Sequence, residues 1–218
     1  MKKILYVILH TCTRPDRHDG IVNSWGKDVD YIFYADCDNE EKKIIKVSDD
    51  STYSSNEPKH VNVIKYLIEN DYQYEWFFFC DDDTFVNTKN LESNFEIFDK
   101  DKINGSVLEG TWGRDRDLNY CSGGAGYLIH KTLLEKISKN IKSGDSGYSD
   151  VTLGLCIREM GIENKNFDKF HSQSPKFYNF ENETIKHEFT YHYIQSDDMV
   201  ILYELLKLNY EKSINNRN

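Results

Sequence analysis

The run Trp76-Phe77-Phe78-Phe79-Cys80 is unbroken apolar sequence, and Asp81-Asp82-Asp83 follows it at once. A short continuous apolar run of this kind reads as a strand buried on both faces, as in a sheet covered by helices. Residues 4–10 have the same character. Asp30 to Ala35 predicts a further strand that ends in the acidic turn Asp36-Cys37-Asp38, and Ile44 to Val47 a weaker one. Helical spacing takes over between these runs. Val61, Ile64, Leu67 and Ile68 recur on one face and predict a helix over about 59–70. Other helices are predicted over 19–26, 88–98, 131–142, 149–160 and 199–208, with Ser149 or Asp150 as the cap of the one over 149–160. Strands are predicted over 106–110, after the glycine turn within 119–130, and over 190–194. Strands alternating with helices imply an α/β sandwich around a mostly parallel sheet. With 3 prolines, 12 glycines and no Ser/Gly/Pro-rich stretch, residues 1–212 read as one domain, followed by an Asn-rich frayed tail over 213–218.

Charge narrows the choice of partner. The chain carries 27 basic and 37 acidic residues, a formal charge of −10. That excludes a nucleic-acid partner, because phosphate backbones demand basic stripes. Lys2-Lys3 and the apolar run to Leu9 imitate a leader but are too short, and no transmembrane segment is predicted. The five cysteines at 12, 37, 80, 121 and 156 are odd in number and widely spaced, without Cys-x-x-Cys. Neither a zinc knuckle nor a disulfide framework is implied, so a reducing, cytoplasmic or otherwise soluble intracellular setting is expected.

Three places are costly unless they act chemically. The first is the acidic triplet. Side chains alternate along a strand, so Asp81 and Asp83 leave one face and Asp82 the other. Clustered carboxylates repel, and a divalent cation held by oxygen ligands is the simplest neutraliser. The crevice beyond the carboxyl end of a strand is also where open α/β sheets bind ligands. The second is Gly123-Gly124-Ala125-Gly126, where glycines permit close approach, although this is not the Gly-x-Gly-x-x-Gly dinucleotide pattern. The third is Ser149-Asp150-Val151-Thr152-Leu153-Gly154.

In this order, the motifs resemble those of the Fringe and core-1 galactosyltransferase group, inverting β-1,3-glycosyltransferases of the GT-A fold. The resemblance covers most of the chain: Thr11 to Arg17 with Trp25 to Asp36, Lys59, Trp76 to Val86, Cys121 to Tyr127, Ser149 to Gly154, Phe170-His171-Ser172 and Tyr191-His192-Tyr193. It implies an α/β/α sandwich with a Rossmann-like nucleotide-binding half. It also implies a UDP-sugar donor and a glycan or glycoprotein acceptor. Mn²⁺ would be held by Asp83 and His171. Asp81 and Asp82 would shape the nucleotide side, with Thr11, Arg17, Asp36 and Lys59 as further nucleotide contacts. Gly123, Gly124 and Ala125 would lie against the donor sugar, and Trp112 and Tyr120 are candidate walls of its pocket or plain core. Asp150 would be the general base that an inverting, single-displacement transfer requires. A helix start stabilises its anion and works against that role, so an N-cap is the plain alternative. Animal members carry a membrane anchor, a stem and paired cysteines, none of which is legible here. Two competing readings stand beside this one: a binding module of the same fold without turnover, and a haloacid-dehalogenase-type phosphohydrolase, whose active site also starts at a strand ending in Asp-x-Asp.

Overall fold

A computed structural model describes residues 2–112, 115–144, 146–180 and 182–215. In chain order the first half comprises β1 (Lys2–Leu9), α1 (Pro15–Val22), β2 (Tyr31–Ala35), β3 (Ile44–Lys46), α2 (Asn56–Glu69), β4 (Tyr74–Asp81), β5 (Phe85–Val86) and α3 (Thr88–Ser93). The second comprises β6 (Ile103–Gly105), β7 (Val107–Trp112), β8 (Asp115–Cys121), β9 (Tyr127–His130), α4 (Lys131–Ser138), α5 (Ser149–Glu159), β10 (Asn164–Asn166), β11 (Phe170–His171), α6 (Asn182–Ile185), β12 (Thr190–Tyr191) and α7 (Ser196–Asn215).

The main sheet has the order β10-β6-β9-β4-β1-β2-β3. Its pairs are parallel except where β9 runs against β4 and β6, so the sheet is mostly parallel with one reversed strand. Alternation divides the core in two. Tyr6, Ile8, Trp76 and Phe78 face one side together with Trp25 and Met199. Leu5, Val7, Phe77 and Phe79 face the other with Ile64, Leu134 and Ile157 from α2, α4 and α5. Each phenylalanine of β4 is at most 1% exposed, and full burial of such a ring contributes about 2 kcal/mol. That payload fixes β4 in the centre, and β4 delivers Asp81 at its carboxyl end.

Some boundaries move from their expected places. The first helix starts at Pro15 rather than Asp19, because proline suits the first turn, where its missing N–H costs nothing. The cap of α5 is Tyr148, neither Ser149 nor Asp150. Ser146 does the polar work there: its Oγ takes the Tyr148 N–H at 3.0 Å and meets Thr152 Oγ1 at 2.6 Å. The last helix runs to Asn215, past the expected frayed start at Ser213, and residues 216–218 lie outside the described residues. Cys12 and Cys37, expected as thiols, form a disulfide, while Cys80, Cys121 and Cys156 are free and buried. The bond joins the loops that follow β1 and β2, which their parallel pairing brings side by side.

Candidate active site

Parallel pairing sets Leu9 of β1 opposite Asp81 of β4, so the loops leaving both strands meet at one edge of the sheet. Asp82 turns into that junction and is only 4% exposed. His10 Nδ1 lies 2.8 Å from its Oδ2, and Arg17 of α1 donates to its Oδ1 at 2.8 Å. The same guanidinium reaches Asp83 Oδ2 at 3.1 Å. Arg17 therefore forks across two members of the triplet and offsets part of their repulsion.

Asp81 and Asp83 converge elsewhere, on His192. A small sheet, β11-β12-β5, makes the meeting possible. Tyr191 of β12 pairs with Phe85 of β5, and Ile194 N–H donates to the Asp83 carbonyl at 3.0 Å. These bonds hold the His192 ring over the acidic turn, with Nε2 at 3.1 Å from Asp83 Oδ1 and 3.7 Å from Asp81 Oδ2. One donor atom from each of the three residues lies within 4.8 Å of the others. Asp83 Oδ1 is buried, and its close partner, the His192 imidazole, makes no aligned hydrogen bond with it, so a cation would relieve this anion. Two carboxylates and an imidazole suit a hard to borderline divalent ion.

The electrostatics follow the same lines. Burial, with Asp83, Asp150 and Asp82 nearby, pushes Asp81 up to about 7 against the pull of His192. Burial also works against the Asp83 anion, yet His192 and Arg17 hold it below the usual carboxylate range. For His192 burial opposes charge, but Asp83 and Asp81 raise its pKa overall.

The glycine turn packs directly behind this cluster. A Cβ on Gly124 would overlap the His192 ring, whereas one on Gly123 would sit 3.6 Å from Asp150 in ordinary contact. Thr84 Oγ1 donates to the Gly124 carbonyl at 2.8 Å and Thr190 Oγ1 to that of Ala125 at 2.5 Å, tying the turn to the residue before β5 and to β12. Ala125 is fully buried, which makes it a packing residue behind the cleft. Asp150, at the second position of α5, accepts Gly123 N–H on Oδ2 at 3.1 Å and Val151 N–H on Oδ1 at 2.9 Å. Burial raises its pKa, and these backbone donors only partly offset the rise. The opposition between helix start and basicity is thus decided by desolvation.

A cavity of about 400 Å³ touches His10, Thr11, Arg17, Asp82 and Asp83. A second, of about 250 Å³, touches Gly123, Gly124 and Asp150. Leu9, Tyr53, Asn56, Asp81, His192 and Tyr193 line both, so the two form one cleft. Not every expected residue reaches it. Lys59 is wholly buried and gives its ammonium to Asp36 Oδ1 at 3.1 Å. Asp36 also accepts the Cys12 N–H at 3.3 Å, so this pair braces the loop beneath Thr11 and lines neither cavity. Burial works against the Asp36 anion, but Lys59 and Thr11 keep its pKa low. His171, expected to share a cation with Asp83, stands apart from the cluster. Its Nε2 meets Glu188 Oε2 at 2.8 Å, and its ring stacks on Tyr191 at 4.9 Å. The imidazole beside Asp83 is that of His192. The signal was a histidine flanked by two tyrosines just past a short late strand. Tyr120 packs against Gly110 and Gly154 rather than lining the cleft, and the Trp112 side chain lies outside the described residues.

The family model described as Fringe-like matches residues 2–213. The chain is 30% identical over 99 residues to glycoprotein-N-acetylgalactosamine 3-beta-galactosyltransferase 1 of Xenopus laevis, 40% of this chain and 25% of that protein. It is 27% identical over 116 residues to human chondroitin sulfate synthase 3, 47% of this chain and 13% of that protein. The matches thus span a quarter or less of these relatives. Among solved structures, a glycosyltransferase involved in the glycosylation of the major capsid of PBCV-1 superposes with a TM-score of 0.55 at 14% identity, over 93% of this chain and 99% of that one. The glycosyltransferase GlyE of Streptococcus pneumoniae TIGR4 gives 0.50 at 14% identity, over 98% and 64%. These likenesses leave no room for the phosphohydrolase reading. The chain belongs to the Fringe-like family, and its fold is the GT-A fold of these glycosyltransferase structures.

Proposed function

We propose that this domain transfers a hexose or N-acetylhexosamine from a UDP-sugar to a hydroxyl of a glycan or glycoprotein, with inversion, to form a β-1,3 linkage. One observation carries the reading: Asp81, Asp83 and His192 converge in the same cleft as Asp150. Asp81, Asp83 and His192 would hold Mn²⁺, with His192 in the role expected of His171. When bound, such an ion neutralises a diphosphate and stabilises the charge that grows on a departing nucleotide. The remaining work falls to the protein. Arg17 and His10 fix Asp82 and so brace the acidic turn. Thr11 and Arg17 line the nucleotide side of the cleft, and Gly123 and Gly124 leave room on the sugar side. Asp150, its pKa raised by burial, accepts the proton of the acceptor hydroxyl as that oxygen attacks.

The test is thermal. UDP at saturating concentration should raise the melting temperature with Mn²⁺ present and not with EDTA, as linkage requires of a ligand bridged through metal. Asp150→Asn should keep that shift and lose transfer by roughly 10² or more. A metal-independent shift, or full transfer by Asp150→Asn, contradicts the proposal.

A further inference from the structure

Four aromatic side chains are strongly exposed among the described residues: Tyr53 at 70%, Tyr148 at 40%, Phe177 at 67% and Tyr193 at 54%. Three of them, all but Phe177, line the cavity of Asp150. Chance scatter would not gather them there, since exposed aromatic rings lie against water at a cost and cluster where something covers them. Tyr53 precedes α2, Tyr148 caps α5, and their rings meet edge to face at 6.1 Å across the mouth. Tyr193 stacks on His192 at 3.7 Å and adopts φ of +57°, a conformation tyrosine rarely takes.

The rest of the lining decides what such rings receive. Asn56, Ser122, Ser172 and Gln173 offer neutral hydrogen-bonding groups. The cavity's carboxylates are Asp81 and Asp150, and no lysine or arginine lines it among the described residues. Aromatic faces beside neutral amide and hydroxyl groups match a pyranose, which has a C–H face and a rim of hydroxyls. A uronate or a sulfated sugar would bring its anion against Asp150, and the only basic group on the lining among the described residues, His192, is already paired to Asp83, inside a chain of net charge −10. On the glycosyl-transfer reading the nucleotide lies beyond Asp81, on the side of the cleft lined by Arg17 and His10.

We infer that Tyr53, Tyr148 and Tyr193 form the platform for an uncharged pyranose of the acceptor, and that the same cavity rejects uronate and sulfated sugars. The inference rests on the glycosyl-transfer reading of Asp150, and its test is independent of turnover. Saturation-transfer NMR, recorded without metal, uses neutral methyl hexopyranosides and methyl N-acetylhexosaminides of both anomers, with methyl glucuronide and a methyl galactoside 6-sulfate as the anionic set. At least one neutral sugar should receive saturation at its ring C–H protons. Tyr148→Ala and Tyr53→Ala should each weaken that signal by roughly threefold or more, the scale of a lost ring contact, and Tyr148→Phe should retain it. The anionic sugars should receive none. No transfer to any neutral sugar, equal transfer to the anionic set, or signals unchanged in both alanine variants overturns the platform. The manganese-dependent UDP shift is measured separately on each protein and also reports folding. If that shift is absent while the sugar pattern holds, the donor reading fails and the sugar site stands.

Discussion

His60 shows how one side chain is settled by its surroundings. Both ring nitrogens are engaged, Nδ1 with the Tyr34 hydroxyl at 3.1 Å and Nε2 with that of Tyr127 at 2.9 Å. A neutral imidazole has one donor and one acceptor nitrogen, which is what two hydroxyl partners need. Burial drives its pKa from 6.5 down to about 3. Between those values the unfolded chain binds the extra proton, so stability falls as pH drops from about 6.5 toward 3, with a slope of up to ~1.4 kcal/mol per pH unit from this residue. The contribution is fully present above pH 6.5. In a ¹³C NMR titration from pH 8 to 5, the His60 ring should therefore stay neutral with no inflection. A midpoint near 6.5 would show that the ring is solvated. Residues of this kind were illegible in the sequence, where His60 was one polar letter in an amphipathic helix. Asp81, Asp82 and Asp83 were legible, because three carboxylates after a buried run have few bland explanations.

At the scale of elements, short pieces matter most. The long strand β4 declares itself by composition, and α2 by its spacing. The strands β11, β12 and β5 have two residues each, too few for any period to register, and yet they carry His192 to Asp83. That is why the sequence favoured His171 within Phe-His-Ser, while the imidazole beside the carboxylates came from Tyr-His-Tyr. The disulfide was hidden for a related reason: Cys12 and Cys37 are adjacent only because β1 and β2 pair in parallel. The glycine turn offers a test at this scale. Gly124→Ala places a methyl group in the His192 ring, so the ring must move off the acidic turn. Mn²⁺ affinity, followed by calorimetry in the presence of UDP, should fall by about 10-fold or more, with ~1–3 kcal/mol lost from stability. Gly123→Ala meets only ordinary contacts and should change stability by less than ~1 kcal/mol. Equal behaviour of the two variants would contradict the packing described for His192.

Across the whole molecule, the cleft is assembled from distant parts of the chain: Thr11 and Arg17 after β1, the triplet after β4, the glycine turn before β9, Asp150 on α5 and His192 after β12. The sheet brings the first two together at its carboxyl edge, in the crevice such sheets use for ligands. Order along the sequence foretold this architecture better than it foretold which imidazole lies beside Asp83, since motifs specify neighbours in the chain and packing specifies neighbours in space. The central claim is that His192, with Asp81 and Asp83, holds the cation. Pulsed electron paramagnetic resonance of Mn²⁺ bound with UDP detects a directly coordinated imidazole nitrogen. The nitrogen coupling should be present in the native protein, persist in His171→Ala, and vanish in His192→Ala. Loss in His171→Ala with persistence in His192→Ala would contradict the account.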